Sequence, residues 1–136
     1  MKIKLDPGAF MPERAHGTDA GLDLRARETK YVFPGEHAIF DTGVHAAIPA
    51  AYVGLITSKS GLMAKGITSR GTIDSGYTGS IKAVLFNHGA EGYLVNKGDK
   101  ITQLVVLPTL LASVELVTEL EETDRGDNGF GSTGRA

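Results

Sequence analysis

Short apolar segments separated by turn-forming residues run along most of the chain. In the segment 80–87, Ile81, Ala83 and Leu85 share one face by the two-residue period of a β-strand. Gly, Pro, Asn or Asp interrupts the pattern between segments. We predict strands at 2–5, 31–33, 37–42, 52–57, 80–87, 101–107 and 113–120. Their spacing predicts an all-β fold, a sandwich or a barrel.

Little in the sequence indicates a helix. The best candidate is SGLMAKG at 60–66, which has room for one or two turns at most. No internal repeat occurs at a fixed period, which argues against a propeller or a solenoid. After Glu121 the apolar alternation ends and a glycine-rich tail follows. We therefore predict a β-barrel core at 1–121 and a mobile C-terminal arm at 122–136.

Composition and charge narrow the range of partners. The 14 Lys and Arg against 16 Asp and Glu leave a net charge of −2, so we expect no nucleic-acid and no membrane partner. The absence of cysteine excludes disulfides, thiolate nucleophiles and Cys-ligated metals, and it is typical of a reducing compartment. No apolar run approaches the roughly 18 residues of a membrane span, and the first residues do not resemble a secretory signal. We expect a soluble cytoplasmic protein.

The glycine-rich tail has a composition that suits a nucleotide. Phe130 lies between two glycines, one of them Gly131, and close to Arg125, Ser132 and Thr133. Hydroxyls, a guanidinium and closely spaced backbone N–H groups suit phosphate oxygens, and a ring beside them can stack on a base. The alternative is a disordered tail with an incidental phenylalanine.

The segment SKSGLMAKG at 58–66 offers an anion site. It places Lys59, Ser60 and Gly61 at the start of the predicted helical turn. The full phosphate-loop pattern GxxxxGK[ST] does not occur. A plain turn capped by a serine explains the same residues.

The segment RGTIDSGYTGS at 70–80 predicts a hairpin with Asp74 and Tyr77 near its tip. In a functional interpretation, Asp74 orients a water molecule and Tyr77 packs against a sugar. In the structural alternative, the Asp74 side chain caps its own turn and Tyr77 is half-buried.

Two carboxylates in TDAGLDL at 18–24 and one amide in the strand at 101–107 are further candidates. Asp19 and Asp23 flank Gly21, and hard oxygen ligands of this kind suit Mg²⁺, although aspartates in turns are often only turn residues. Gln103 interrupts an apolar run, so its amide needs partners from the backbone or from a ligand. The histidines show no HxH or HExxH spacing, which argues against a zinc site.

These segments resemble, in the same order, the five motifs of the trimeric dUTP diphosphatase (dUTPase) family. They are AGLDL at 20–24, SKSGL at 58–62, GTIDSGYTG at 71–79, KGDKITQLV at 97–105 and RGDNGFGSTG at 125–134. The third and the fifth are the distinctive ones. The resemblance implies a homotrimer of distorted jelly-roll subunits. It also implies three active sites at subunit interfaces, where each arm closes a site formed by its neighbours.

The reaction implied by the resemblance is hydrolysis of dUTP to dUMP and pyrophosphate by water attack at the α-phosphorus. Such an activity keeps uracil out of DNA and supplies dUMP for thymidylate synthesis. Asp74 matches the carboxylate that activates the water. The implied cofactor is Mg²⁺ on the triphosphate, and Asp23 matches the carboxylate that holds the waters of the metal. Tyr77 matches the ring under the deoxyribose, where a 2′-hydroxyl would clash.

The other motif positions match substrate contacts of the family. The resemblance assigns the uracil edge to the backbone of Gly71, Thr72 and Ile73, and stacking on uracil to Phe130 with Gly131 beside it. It assigns phosphate contacts to Lys59, Ser60, Gly61, Gln103, Arg125, Ser132 and Thr133.

The sequence departs from the usual pattern of the family at two places. Motif two usually reads PRSGL, so Ser58 and Lys59 replace a proline and an arginine, and a bidentate fork becomes a point charge. The segment between Lys65 and Asp74 is also short.

Two other functions compete with the diphosphatase. A dCTP deaminase shares the implied fold but uses a glutamate-centred site, and Asp74 favours the diphosphatase. The other rival is a binding module without catalysis, against which the complete set of motif residues argues.

Overall fold

The computed structural model describes residues 1–129, and these fold into ten strands and one short helix. This confirms the predicted all-β class. The helix α1 has four residues, and none in the described chain is long and apolar enough to cross a membrane. The elements are β1 Lys2–Leu5, β2 Gly21–Arg25, β3 Lys30–Val32, β4 His37–Asp41, β5 Val44–Ala47, β6 Tyr52–Thr57, α1 Ser60–Met63, β7 Ile67–Ile73, β8 Lys82–Asn87, β9 Tyr93–Val95 and β10 Lys100–Pro108.

One six-stranded antiparallel sheet organises the fold, in the order β2-β10-β6-β7-β8-β4. Strand β7 changes partner along its length: residues 70–73 pair with β6, and residues 67–69 pair with β8. Because one strand joins two sets of neighbours in this way, the sheet curls into a half-barrel. Two-stranded pairs, β1 with β5 and β3 with β9, complete the strand pairing of the described chain.

The core consists of two apolar clusters inside the curl. One is built around Phe40 and Leu85, and the other around Leu24 and Leu104. The predicted face of the segment 80–87 is confirmed, because Ile81, Ala83 and Leu85 are all fully buried. Burial of an aliphatic side chain contributes about 1.5–3 kcal/mol, so this alternating face is a principal source of stability.

The strand predicted at 113–120 is wrong. Residues 109–129 contain no strand, and Val114 and Leu116 are 98% exposed. The apolar alternation is present in the sequence, but no strand edge of the same described chain pairs with it. A strand without a partner leaves its backbone N–H and C=O groups unpaired.

Four strands were not predicted: β2, β5, β7 and β9. In β7 the alternation is hidden because the inward residue Ser69 is polar. Its hydroxyl lies 2.6 Å from Thr102 Oγ1, and both side chains are buried. The buried polar pair replaces the apolar contact that the sequence pattern would reveal.

Candidate functional site

Three of the candidate residues meet at one end of three neighbouring strands. Asp23 of β2 pairs with Gln103 of β10, and Gln103 pairs with Thr57 of β6. Lys59 follows β6 by two residues. Asp23, Lys59 and Gln103 line a polar cleft of about 280 Å³ together with Ala15, Asp19, Ala20, Gly21 and Val105. The sheet order therefore brings residues of the first, second and fourth motif segments together.

Asp23 is the buried charge of this cleft, with 4% of its surface exposed. Its Oδ1 accepts a hydrogen bond from Lys59 Nζ, and Lys100 Nζ lies 2.8 Å from Oδ2. Burial raises the pKa of the Asp23 carboxyl, but the two ammonium groups outweigh it and hold that pKa below its usual value. Asp23 is therefore ionised at neutral pH.

One carboxylate oxygen of Asp23 is left without a well-directed hydrogen bond. Oδ2 is buried, and its contact among the described residues is the Lys100 ammonium at 2.8 Å. A buried anionic oxygen in this condition suits a water molecule, including a water of a hydrated cation.

The described residues hold no cluster of three or more His, Asp and Glu side chains that could bind a metal by themselves. A cation at Asp23 would have to bring most of its oxygen ligands with it. Mg²⁺ behaves in this way, since it keeps several waters and prefers substrate phosphates. The donor set at Asp23 is therefore suited to Mg²⁺ carried by a phosphate ligand.

Gln103 is held against the backbone of β2. Its Nε2 donates to Ser58 O at 3.3 Å, which is the backbone partner that the sequence analysis left open. A Cβ added at Gly21 would lie only 2.2 Å from Gln103 Oε1. Gly21 thus makes room for the amide, which gives a packing reason for glycine in the first motif segment.

The start of α1 presents donors to the same cleft region. Lys59 is the N-cap residue, and no side chain caps the helix, so the alternative of a plain serine-capped turn is wrong. Within residues 1–129 the backbone N–H groups of Ser60 and Gly61 donate to no acceptor. Both residues are exposed, and these N–H groups are available to an anion beside the Lys59 ammonium.

Asp74 and Tyr77 lie in loop 74–81, between β7 and β8. The Asp74 carboxylate is exposed and makes no hydrogen bond or ion pair within the described chain, so the alternative in which it caps its own turn is wrong. Tyr77 is 42% exposed, and its Oη donates to Ser80 O at 3.0 Å. An unpaired carboxylate and a presented ring agree with the functional interpretation of this loop.

Within one chain, loop 74–81 stands apart from the cleft. Ile73, which precedes the loop, pairs with Gly54, whereas Gln103 pairs with Thr57. These partners are three residues apart on β6, about 10 Å along an extended strand. The structure therefore does not bring Asp74 and Tyr77 into the cleft of their own chain.

The arm residues are described only in part. Arg125 is exposed, and its Nε donates to Asn128 O at 3.1 Å within its own segment. The predicted contacts at Phe130, Gly131, Ser132 and Thr133 lie outside the described residues.

Lys100 was not predicted as a site residue, although it supplies the second ammonium on Asp23. The structure shows a β-bulge between Lys100 and Thr102 where β10 begins to pair with β2. A bulge changes the direction of nearby side chains. The signals in the sequence are its place in the fourth motif segment, 97–105, and a charged residue at the start of an apolar strand.

The class of protein that the structure defines is a curled all-β fold with a cleft in which an ionised carboxylate lies beside an ammonium group. The chain belongs to the dUTPase family, because a sequence model of that family matches residues 8–134. This confirms the family and the enzyme class predicted from the five motifs.

Individual relatives agree over nearly the full length. The chain is 45% identical to a deoxyuridine 5′-triphosphate nucleotidohydrolase of Clostridium acetobutylicum over 98% of this chain and 96% of the relative. It is 44% identical to that of Clostridium tetani over 99% and 97%.

Solved structures show the same fold. A mutant dUTPase of Staphylococcus bacteriophage 80alpha with dUpNHpp superposes with a TM-score of 0.91 at 34% identity, covering 98% of this chain and 97% of that one. A mutant dUTPase from phage phi11 of S. aureus, described with coordination of a structural Mg(II) ion, gives a TM-score of 0.82 at 33% identity, over 89% and 98%.

Proposed function

We propose that the chain hydrolyses dUTP to dUMP and pyrophosphate by attack of a water molecule at the α-phosphorus. The observation that carries the proposal is the cleft at Asp23, where a buried ionised carboxylate lies between two ammonium groups and Lys59 leads directly into the unpaired backbone donors of Ser60 and Gly61. Membership of the dUTPase family supplies the substrate class. The proposed cellular role is to keep uracil out of DNA and to supply dUMP for thymidylate synthesis. Its cytoplasmic location stays a prediction.

The triphosphate binds at the cleft and at the start of α1. Lys59 supplies positive charge, the N–H groups of Ser60 and Gly61 donate to phosphate oxygens, and Gln103 stands beside the α-phosphate. Lys59 binds Asp23 in the structure described here. Its flexible stem allows the ammonium to move from this carboxylate to a phosphate.

Mg²⁺ is the proposed cofactor, held through water by Asp23 and directly by the triphosphate. When bound, it neutralises phosphate charge and so assists attack at phosphorus. Asp23 Oδ2 is buried and has only the Lys100 ammonium beside it, at 2.8 Å, so a carboxylate lone pair is left for a water of the metal. Release of the Lys59 ammonium from Oδ1 would leave that oxygen open to a second water.

Asp74 is the proposed residue that orients the attacking water. Its carboxylate is exposed and has no partner among residues 1–129, so it is free to accept a hydrogen bond from water. Orientation of the attacking water is its proposed contribution. Tyr77 packs under the sugar and excludes a 2′-hydroxyl.

The uracil edge is read by the backbone of Gly71, Thr72 and Ile73. Only residues 67–69 of β7 pair with β8, so residues 70–73 have β6 on one side and no strand of the described chain on the other. Backbone N–H and C=O groups on that open side suit the fixed pattern of donors and acceptors on a base.

A homotrimer completes the site. Because Asp74 lies about 10 Å or more along β6 from the cleft of its own chain, the loop of one chain must serve the cleft of another. The exposed apolar side chains of 110–120, Val114 and Leu116 among them, support burial against a second copy. The core 1–121 then forms the interfaces, and the arm 122–136 of a third chain closes the site with Arg125, Phe130, Gly131, Ser132 and Thr133.

The test is a parallel assay of dUTP, dCTP, dTTP and UTP with and without Mg²⁺, in which pyrophosphate and ammonia are followed separately. We expect pyrophosphate from dUTP alone and only with the metal. Release of ammonia from dCTP would identify the chain as a deaminase. No product from any of the four nucleotides would favour a binding module.

Asp74→Asn tests the proposed role of the carboxylate in the same assay. We expect turnover to fall by about 10²–10⁴ while dUpNHpp still binds, because the amide cannot orient the water as a carboxylate does. Glu36→Gln, a carboxylate-to-amide change in an exposed turn, is the matched control. Full activity of Asp74→Asn would remove Asp74 from this role.

A further inference from the structure

Thr42, between β4 and β5, and the backbone of Val44 in β5 hold the base of loop 74–81. Ile81 N donates to Val44 O at 2.8 Å, and Thr42 Oγ1 donates to Ile81 O at 2.6 Å. Both Thr42 and Ile81 are fully buried. The end of the loop that enters β8 is therefore rigid, and its other residues need separate anchors.

His45 of β5 supplies an anchor in the middle of the loop. Its Nδ1 lies 2.7 Å from Thr78 O, and its Nε2 lies 3.1 Å from Asp6 Oδ1. A carbonyl oxygen only accepts, so Nδ1 must carry hydrogen and donate to Thr78. The His45 side chain is only 19% exposed. This hydrogen bond fixes the residue directly after Tyr77.

The His45 ring is itself fixed by a chain of charges. Asp6 Oδ2 lies 3.6 Å from Arg27 Nη1, and Arg27 Nη2 lies 3.2 Å from Asp41 Oδ2. Asp41 in turn accepts a hydrogen bond from Ser80 Oγ. The ring is thus held on one side by Asp6, which directly follows β1, and the loop it holds is tied at a second point to the same network.

Tyr77 stands between these two anchors. Its Oη donates to Ser80 O at 3.0 Å, and its backbone N–H donates to Asp74 O at 3.0 Å. A shift of Thr78 would therefore move Tyr77, and with it the turn that begins at Asp74.

We propose that His45 is a positioning residue, which sets Tyr77 and Asp74 against the nucleotide through its hydrogen bond to Thr78 O. The inference rests on the proposed function in that the loop must serve a nucleotide. It assigns no contact between His45 and the substrate. Its consequence is that loss of the Nδ1 donor impairs both turnover and the discrimination of dUTP from UTP, since Tyr77 is the proposed sugar filter.

Two amide substitutions separate the two bonds of the ring. The amide nitrogen of Asn lies near the place of His Nδ1, and that of Gln lies near the place of Nε2. His45→Asn thus keeps a donor for Thr78 O, and His45→Gln keeps one for Asp6. We expect His45→Gln to lower kcat for dUTP by about tenfold and to narrow the dUTP/UTP ratio of kcat/KM, as loss of one hydrogen bond implies. We expect His45→Asn to lose less than about threefold.

His37→Asn and His37→Gln are the matched controls, because His37 is exposed on β4 and faces Phe86. We expect both to leave kcat and the dUTP/UTP ratio unchanged. Equal losses in His45→Asn and His45→Gln would overturn the inference. The inference would also be overturned if the activity of His45→Gln fell only in proportion to a lowered urea midpoint, while its dUTP/UTP ratio of kcat/KM stayed unchanged.

Amide hydrogen exchange at Tyr77 tests the positioning without turnover. Its N–H is bonded to Asp74 O, so we expect it to exchange about tenfold faster in His45→Gln than in His45→Asn. Equal exchange in the two variants would refute the role of His45. If the unaltered protein fails to hydrolyse dUTP, the proposed function fails, and the exchange result still decides whether His45 holds the loop.

Discussion

Asp41→Asn is the substitution whose effect on stability follows most directly from the structure. Asp41 Oδ1 accepts hydrogen bonds from Ser80 Oγ and, at 3.0 Å, from Gly43 N. Its Oδ2 lies 3.2 Å from Arg27 Nη2 and 3.3 Å from Lys82 Nζ. The hydrogen bond from Ser80 is the largest influence. Burial opposes it, but with the Gly43 N–H and the Lys82 ammonium it lowers the pKa of Asp41 from 3.8 to about 2.

The size of the effect comes from that difference in pKa. At 1.36 kcal/mol per pKa unit, the lowering corresponds to about 2 kcal/mol. The Asp41 side chain is 33% exposed, so solvent screens its ion pairs, and we expect Asp41→Asn to cost about 1 kcal/mol at pH 7. Asparagine keeps the shape and an acceptor oxygen for Ser80 and Gly43, so the loss is mainly that of charge.

The pH dependence gives the sharper test. A lowered pKa means that Asp41 stabilises the folded state fully above about pH 4, and that this contribution is lost as the pH falls towards about 2. The difference in unfolding free energy between the unaltered protein and Asp41→Asn should therefore close over that window.

Urea unfolding at pH 7, 5, 4, 3 and 2.5 measures this difference, with protein concentration held fixed because association contributes to stability. Glu36→Gln, at an exposed turn residue, serves as the control and should show no such closing. A difference in unfolding free energy of the same size at every pH would mean that the loss comes from poor packing of the asparagine and not from the missing charge. That result would refute the electrostatic reasoning.

Two further predictions concern the proposed site. Lys59→Arg should tighten binding of dUpNHpp by about threefold to tenfold in calorimetry, since a guanidinium can engage phosphate with two hydrogen bonds. The control Lys4→Arg, at an exposed strand residue, should leave the affinity unchanged. Weaker binding in Lys59→Arg would show that the cleft is shaped for an ammonium. Removal of residues 125–136 should lower kcat/KM by at least about a hundredfold. The urea midpoint should not change, because residues 125–129 are exposed. A large loss of stability would contradict the proposed arm.

The predicted strands that the structure confirms are those whose apolar alternation meets a partner edge within the chain itself. Ile81, Ala83 and Leu85 point inward because β7 and β4 flank β8 and supply its hydrogen bonds. The segment 113–120 has a similar apolar pattern and forms no strand. Alternation records which face a strand would bury, but the strand also needs a partner edge, and the sequence of one chain does not show where that edge lies.

The cleft was predictable in part for a similar reason. Each of Asp23, Lys59 and Gln103 was a candidate from its own segment, and the family resemblance assigned all three to one triphosphate and its metal. The order β2-β10-β6 brings them together. The role of Lys100 was not predictable, because it depends on a β-bulge that no residue of the sequence marks. Gly21 was recognised as part of a motif, but its packing against Gln103 appears only when the two strands are paired.

Strand β6 sets the distance between the loop that carries Asp74 and the cleft that contains Asp23. Its Gly54 end aligns Ile73 and the loop with Asp74, and its Thr57 end aligns Gln103 and the cleft with Asp23. A paired strand rises about 3.3 Å per residue, so in the structure described here the loop and the cleft of one chain stay apart. In the proposed trimer the loop and the cleft of different chains meet, so assembly and formation of the site are one event. The apolar residues left exposed at 110–120 then contribute to catalysis indirectly, by stabilising the contact that brings Asp74 to the phosphate.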